Sequence, residues 1–138
     1  FAYLAGALRE LARYRSPAFR LTADGDCEAA PSRLLLAFVA NGQYCGGRMH
    51  VAPAARQDDG AFDLVTIDDV GLLRALPKLA RLYLGNLLRD PLVQHRLVNR
   101  VCITAEPVAG IEADGQFVGR TPTVISVERG ALRTLRGP

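Results

Sequence analysis

The sequence predicts an α+β domain, a mostly antiparallel β-sandwich or open barrel with two helical segments. Three observations carry that reading. Leu4, Leu8 and Leu11 recur at helical spacing, with Arg9, Glu10 and Arg13 on the other face. A second helical stretch runs from about Val70 to Leu88. The last third of the chain is a succession of short β-rich runs punctuated by turn residues. The 138 residues, 49% hydrophobic and 22% charged, have the size of one domain that buries roughly 65–70% of its unfolded surface. This composition excludes a disordered tail, a collagen-like chain and a disulfide-dense scaffold.

Each element has a local cause. The first helix covers Phe1 to Tyr14 and stops before Pro17. It has no capping residue ahead of Phe1, which leads to the expectation that the chain begins inside a larger protein. Ala18 to Ala23 alternates Phe19 and Leu21 with Arg20 and Thr22, the pattern of a half-buried strand. Asp24-Gly25-Asp26 then predicts a hairpin turn, with Arg33 to Val39 as the partner strand, apolar enough to be buried on both faces. Phe62 to Ile67 is a further strand, and Asp68 and Asp69 offer an N-cap to the second helix. Pro77 predicts a kink or two short pieces within it, and Gly85 and Pro91 bracket its end. The β-rich third divides into Leu97 to Ala105, Val108 to Ala113, Gln116 to Gly119 and Thr123 to Val127. Asp114-Gly115 forms a tight hairpin, and Ala131 to Leu135 is a short final strand. No period of about 20–50 residues is present, so the chain is not a repeat array.

Charge and cysteine usage narrow the function classes. The net charge is +3, and all but one of the 17 cationic residues are arginine, Lys78 being the exception. The plain reading of this bias is that arginine replaces lysine, as expected of a GC-rich bacterial genome. The arginines are scattered, whereas a nucleic-acid footprint forms a patch or stripe, so nucleic acid is not an expected partner. A mild attraction to anionic lipid headgroups fits better. The longest apolar run, Leu34 to Ala40, is far short of the ~18 residues of a membrane span, and the amphipathic start at Phe1 lacks the basic region that marks a signal peptide. Cys27, Cys45 and Cys102 make no CxxC pair, and His50 and His95 stand at no zinc spacing from them. Free, partly buried thiols in a reducing cytoplasm are expected.

Three segments have residue types that carry chemistry. In the run from Asn41 to Leu64, Gly42, Gly46 and Gly47 allow tight turns or a phosphate cradle, but the Walker lysine is absent. Gln57-Asp58-Asp59-Gly60 is either an Asp-Gly turn into the next strand or a hard-cation loop of one carboxylate and two carbonyls. Asp114 is either a plain turn residue or a carboxylate that takes a proton from an alcohol. No Ser/His/Asp or paired-Glu layout of a self-contained hydrolase is present.

Taken in order, these pieces resemble the C-terminal domain of the soluble lipid kinases related to bacterial diacylglycerol kinases and to sphingosine and ceramide kinases. The matching residues are the Tyr3–Leu11 helix, Asp24-Gly25, the strand running into Asn41, Gly46-Gly47, Met49, Pro53-Ala54 and Asp59-Gly60. Gly85, Pro91, Asp114-Gly115 and Gly130-Ala131-Leu132 complete the series, which spans essentially the whole chain.

The resemblance implies the lipid-substrate domain, residues 1–138, of a two-domain ATP-dependent kinase that is cytoplasmic and peripheral to the membrane. The γ-phosphoryl group passes to a lipid hydroxyl with Mg²⁺ offsetting charge. ATP is bound mainly by an N-terminal nucleotide domain through a Gly-Gly-Asp-Gly-Thr loop, which this sequence lacks, so the 138 residues alone are expected to be inactive. In the family an Asp-Gly-Glu turn supplies proton abstraction; Asp114 and Gly115 match it, and the glutamate position is Gln116. A neutral amide orients a hydroxyl but is no base. The resemblance also implies a Mg²⁺ held by Asp59 and the carbonyls of Arg56 and Ala61. Arg48 stands where the family tends to have a third glycine, placed to reach a phosphate or simply solvated. The implied partners are a lipid substrate, an anionic membrane surface and the absent nucleotide domain. Apolar surface left uncovered makes a homodimer a further expectation. The alternative reading is a non-catalytic lipid- or carbohydrate-binding β-sandwich.

Overall fold

The computed structural model describes residues 15–26, 30–71 and 80–132. Ten strands form within them: β1 (Ala18–Ala23), β2 (Ser32–Ala40), β3 (Tyr44–Cys45), β4 (Met49–His50), β5 (Phe62–Asp68), β6 (Val93–Val98), β7 (Arg100–Glu106), β8 (Gly110–Ala113), β9 (Gln116–Arg120) and β10 (Thr123–Ser126). Six make one antiparallel sheet in the order β10-β7-β1-β2-β5-β6, while β3-β4 and β8-β9 are separate hairpins.

The large sheet is hinged at its middle. β1 meets β2 only through Ala18↔Arg33 and Phe19↔Ser32, whereas it runs beside β7 over all six of its residues. β2 in turn pairs along β5, with one irregularity between Leu34 and Leu36. The halves β10-β7-β1 and β2-β5-β6 therefore fold over a shared core. Phe19 and Ala23 come from one half and Leu34, Leu64 and Val98 from the other, joined by Val101 and Ile103 of β7. The sheet does not close into a barrel.

β5 is the strand buried on both faces. Leu64 enters the core between the sheet halves. Val65 and Ile67 face a second core made with Val51, Ala52, Ala55, Leu82 and Leu87. Burying each of these aliphatic side chains on β5 contributes about 1.5–3 kcal/mol. β2, read from its apolar run as doubly buried, has one buried residue, Leu34, and leaves Leu36 38% exposed. Hydropathy alone does not distinguish a central strand from its neighbour.

Other corrections are local. The run from Leu97 to Ala105 is two strands: the chain leaves β6 at Val98, turns at Asn99 and joins the other sheet half as β7. β6 also starts earlier, at Val93. The second helix ends sooner than Leu88: residues 80–84 are helical, Gly85 turns left-handed at φ +68°, and Leu87–Arg89 is a 3₁₀ turn. Ala131 and Leu132 form no strand. The helix from Phe1 to Tyr14, the segment around Pro77 and Cys27 lie outside the described residues. Cys45 is exposed and Cys102 half-buried, both free thiols.

The Asp24-Gly25 turn does not join β1 to β2 as a tight hairpin. It braces the Asn99 corner instead. Asp24 Oδ1 accepts from the backbone N–H groups of Asn99 (2.9 Å) and Arg100 (2.8 Å). The Asp24 N–H donates to the Arg100 carbonyl at 3.0 Å. Asp24→Ala leaves two donors without their carboxylate and puts alanine at φ +50°. We expect a loss of about 2 kcal/mol in urea unfolding. A loss under about 0.5 kcal/mol, within the range of ordinary surface changes, would show that the corner holds without it.

Candidate functional site

The residues singled out by sequence occupy two turns that join the fold at opposite ends of β7. Asp114 and Gly115 form the tip of the β8–β9 hairpin, at φ +50° and +80°, the left-handed pair that a two-residue hairpin requires. Gln116 opens β9 opposite Ala113, and Glu112 pairs with Phe117. The ribbon stands out from the sheet, with Asp114 and Gln116 exposed and Phe117 and Val118 64% and 60% exposed. Its root is held by Thr121, whose N–H donates to the Ala109 carbonyl at 2.9 Å while its Oγ1 accepts from the Ala109 N–H at 3.0 Å. The Phe117 ring lies against Gly110, 3.5 Å from where a Cβ there would sit.

The Asp59 turn lies at the opposite end of β7. Asp59 Oδ1 accepts from the Ala61 N–H at 3.0 Å, and Asp58 pairs with Arg56 at 3.3 Å on the surface. Asn99 Nδ2 donates to the Gly60 carbonyl at 2.6 Å, tying this turn to the Asn99 corner where β7 begins. The hairpin root follows Glu106, where β7 ends. Seven residues of strand, about 20 Å, separate the two attachment points. Asp114 with Gln116, and Asp59 with Ala61, each share one turn, and the two turns join the fold at opposite ends of β7. Arg56, Asp59 and Ala61 offer one carboxylate and backbone carbonyls, a hard-oxygen set that suits a cation retaining several waters. No group of three or more His, Cys, Asp or Glu placed to hold a metal occurs among the described residues.

The glycine-rich segment forms the β3–β4 hairpin near the Asp59 turn, Gly42 lying against the Gln57 side chain. The hairpin is clipped in place by His50. The His50 ring stacks on Tyr44 with centroids 4.5 Å apart, and its Nδ1 lies 2.6 Å from where a Cβ on Gly85 would be. At the tip, Gly47 and Arg48 are both left-handed, φ +51° and +69°. An L-residue other than Gly, Asn or Asp in that region costs about 1 kcal/mol or more.

Sequence reasoning missed one polar pair and one pocket. Asp63, its side chain 3% exposed, bonds His95 Nε2 at 2.6 Å across β5 and β6. A carboxylate inside the apolar run from Phe62 to Ile67 was a visible signal that it needed a partner; the identity of that partner depended on register. A pocket of about 210 Å³ opens where β1 and β2 diverge, with Leu21, Leu34 and Leu64 as its apolar wall and Ser32, Thr66 and Gln94 at its polar side. It is smaller than the ~300–1,000 Å³ that enclose a whole small molecule.

A hinged antiparallel sandwich with a projecting Asp-Gly hairpin defines a class of domain, and comparison with known proteins specifies it. The chain belongs to the YegS C-terminal NAD kinase β-sandwich-like domain family, whose model matches residues 1–136. It is similar in fold to a candidate diacylglycerol kinase from Bacillus anthracis str. Sterne, with a TM-score of 0.70 and 23% identity over 93% of this chain and 44% of that one. A diacylglycerol kinase structure from the same organism gives 0.68 and 22% identity, over 91% and 43%. The chain thus spans less than half the length of these solved structures. No curated protein matches it.

Proposed function

We propose that this chain is the lipid-substrate domain of an ATP-dependent lipid kinase of the diacylglycerol kinase kind. The observation that carries the reading is the fold shared over 93% of the chain with a solved protein described as a candidate diacylglycerol kinase. The reaction is transfer of the γ-phosphoryl group of ATP to a lipid hydroxyl. Asp114 takes the hydroxyl proton, the freed oxygen attacks the γ-phosphorus, and ADP leaves with the bond to its β-phosphate oxygen broken. Gln116, beside it, orients the hydroxyl through its amide. ATP is held by a nucleotide-binding half outside these 138 residues, and the enzyme works at an anionic membrane surface. No helix among the described residues is long and apolar enough to cross a membrane.

The test is direct. The protein extended through its upstream coding sequence is incubated with ATP and diacylglycerol, and labelled phosphate is followed into the lipid. No transfer, together with no Gly-Gly-Asp-Gly-Thr loop upstream, would favour a non-catalytic lipid- or carbohydrate-binding module. The substitution of glutamine for a second acid at position 116 is what keeps that second reading in view.

We further propose that Asp59, with the carbonyls of Arg56 and Ala61, holds Mg²⁺. The Asx turn that engages Asp59 Oδ1 leaves Oδ2 free for the ion. At ten times its dissociation constant the ion stabilises the fold by about 1.4 kcal/mol, a rise of ~4 °C in melting temperature for a domain of this size. Asp59→Asn is expected to remove that rise. If chelation leaves the wild-type melting temperature unchanged, the loop is a turn and nothing more.

A further inference from the structure

Three turns of this domain share one backbone geometry, and one of them has the wrong residue for it. Asp24-Gly25, Asp114-Gly115 and Gly47-Arg48 each place two successive residues at positive φ: +50° and +85°, +50° and +80°, +51° and +69°. The Asp26 N–H closes the first onto the Ala23 carbonyl at 2.9 Å, and the Met49 N–H closes the third onto the Gly46 carbonyl at 3.1 Å. Such turns call for glycine at the second central position, and the first two have it. The third has Arg48.

Nothing in the local packing requires a side chain there. Arg48 is exposed, and no group among the described residues bonds its guanidinium. Its seat, by contrast, is closely packed. His50 is stacked on Tyr44 and pressed against Gly85, and Val51 and Ala52 both donate to the Gln43 carbonyl, at 3.1 and 3.3 Å. A fixed hairpin thus presents a strained, unengaged arginine, and strain of this kind gathers where a residue is kept for what it binds. A guanidinium on such a mount suits a group with several anionic oxygens.

We infer that Arg48 is a phosphate-contact residue that meets either the nucleotide's phosphates or the phosphate of a lipid product. The choice of phosphate rests on the lipid-kinase reading above; the strained, unengaged arginine does not. The test uses the isotopically labelled protein that joins this domain to its nucleotide-binding half, and nuclear magnetic resonance. Sodium phosphate, ADP and dodecyl phosphate are titrated against sodium chloride at equal ionic strength, following the Arg48 Nε and Gly47 amide signals. We expect a saturating shift with phosphate and with one of the two organic phosphates, and the tighter of these identifies the source. Arg48→Gly should weaken binding about tenfold or more and yet melt no lower than about 2 °C below the wild type, because relief of the left-handed strain offsets the added freedom of glycine in the unfolded chain. Arg48→Lys should fall between, as a point charge without the planar fork.

Equal shifts in chloride, or unchanged affinity in Arg48→Gly, would overturn the inference. A response to inorganic phosphate alone marks an adventitious ion only and also overturns it. Failure of the kinase reading is separable: transfer assays report on that, whereas this titration reads Arg48 directly.

Discussion

Asp114→Asn is expected to lower lipid phosphorylation by about 10²–10⁴-fold, the usual contribution of a positioned general base, in the protein that joins this domain to its nucleotide-binding half. The substitution isolates the chemistry. Asp114 sits at φ +50°, and asparagine tolerates the left-handed region about as well as aspartate, so the hairpin keeps its turn. The amide is nearly the same size as the carboxylate and lacks only the capacity to take a proton. Turnover should fall while the melting temperature and the KM for lipid stay close to wild type. Gln116→Glu supplies a companion measurement, since a second carboxylate in the turn should restore part of the rate to Asp114→Asn. Full turnover in Asp114→Asn would remove this residue from its role.

Gly85→Ala is expected to destabilise the domain by about 3 kcal/mol in denaturant unfolding. Two effects add. Alanine at φ +68° costs about 1 kcal/mol, and the new Cβ falls 2.6 Å from His50 Nδ1, closer than packed atoms tolerate, for a further ~2 kcal/mol. The imidazole cannot easily swing aside, because one face rests on Tyr44 and its Nε2 is buried. Gly85→Ala combined with His50→Ala should show a smaller additional loss than Gly85→Ala alone. A single-mutant loss of only about 1 kcal/mol, the backbone cost by itself, would mean the ring moves freely and the hairpin is not clipped. The same substitution should loosen the tip that carries Arg48, which links this stability measurement to the phosphate titration.

The candidate site was legible in the sequence to different depths. Asp114-Gly115 and Asp24-Gly25 announced their turns because an Asp-Gly pair encodes positive φ locally. Their surroundings were not announced: Asp24 serves the Asn99 corner, 75 residues away. The Asp59 turn was visible as residue type, and its distance from the Asp114 hairpin was not, since that depends on which end of β7 each loop meets. Arg48 was noticed only through the resemblance, at a position where the family tends to have a third glycine. Its left-handed backbone became apparent only with the hairpin closed around it.

By itself the sequence determined the β-rich class, the alternation of β1 and the left-handed Asp-Gly turns, which rest on neighbours within a few residues, and the family resemblance, which rests on the order of short motifs along the chain. Tertiary structure alone decided that β1 lies mainly against β7, that β5 rather than β2 is buried on both faces, that one apolar run breaks at Asn99 into two strands, and that Asp63 finds His95. The physical reason is common to all four. An apolar strand states that it must be covered, and a buried carboxylate states that it must be paired. Neither states by what, because the partner is selected by the whole set of strands competing to bury the most surface with every polar group satisfied.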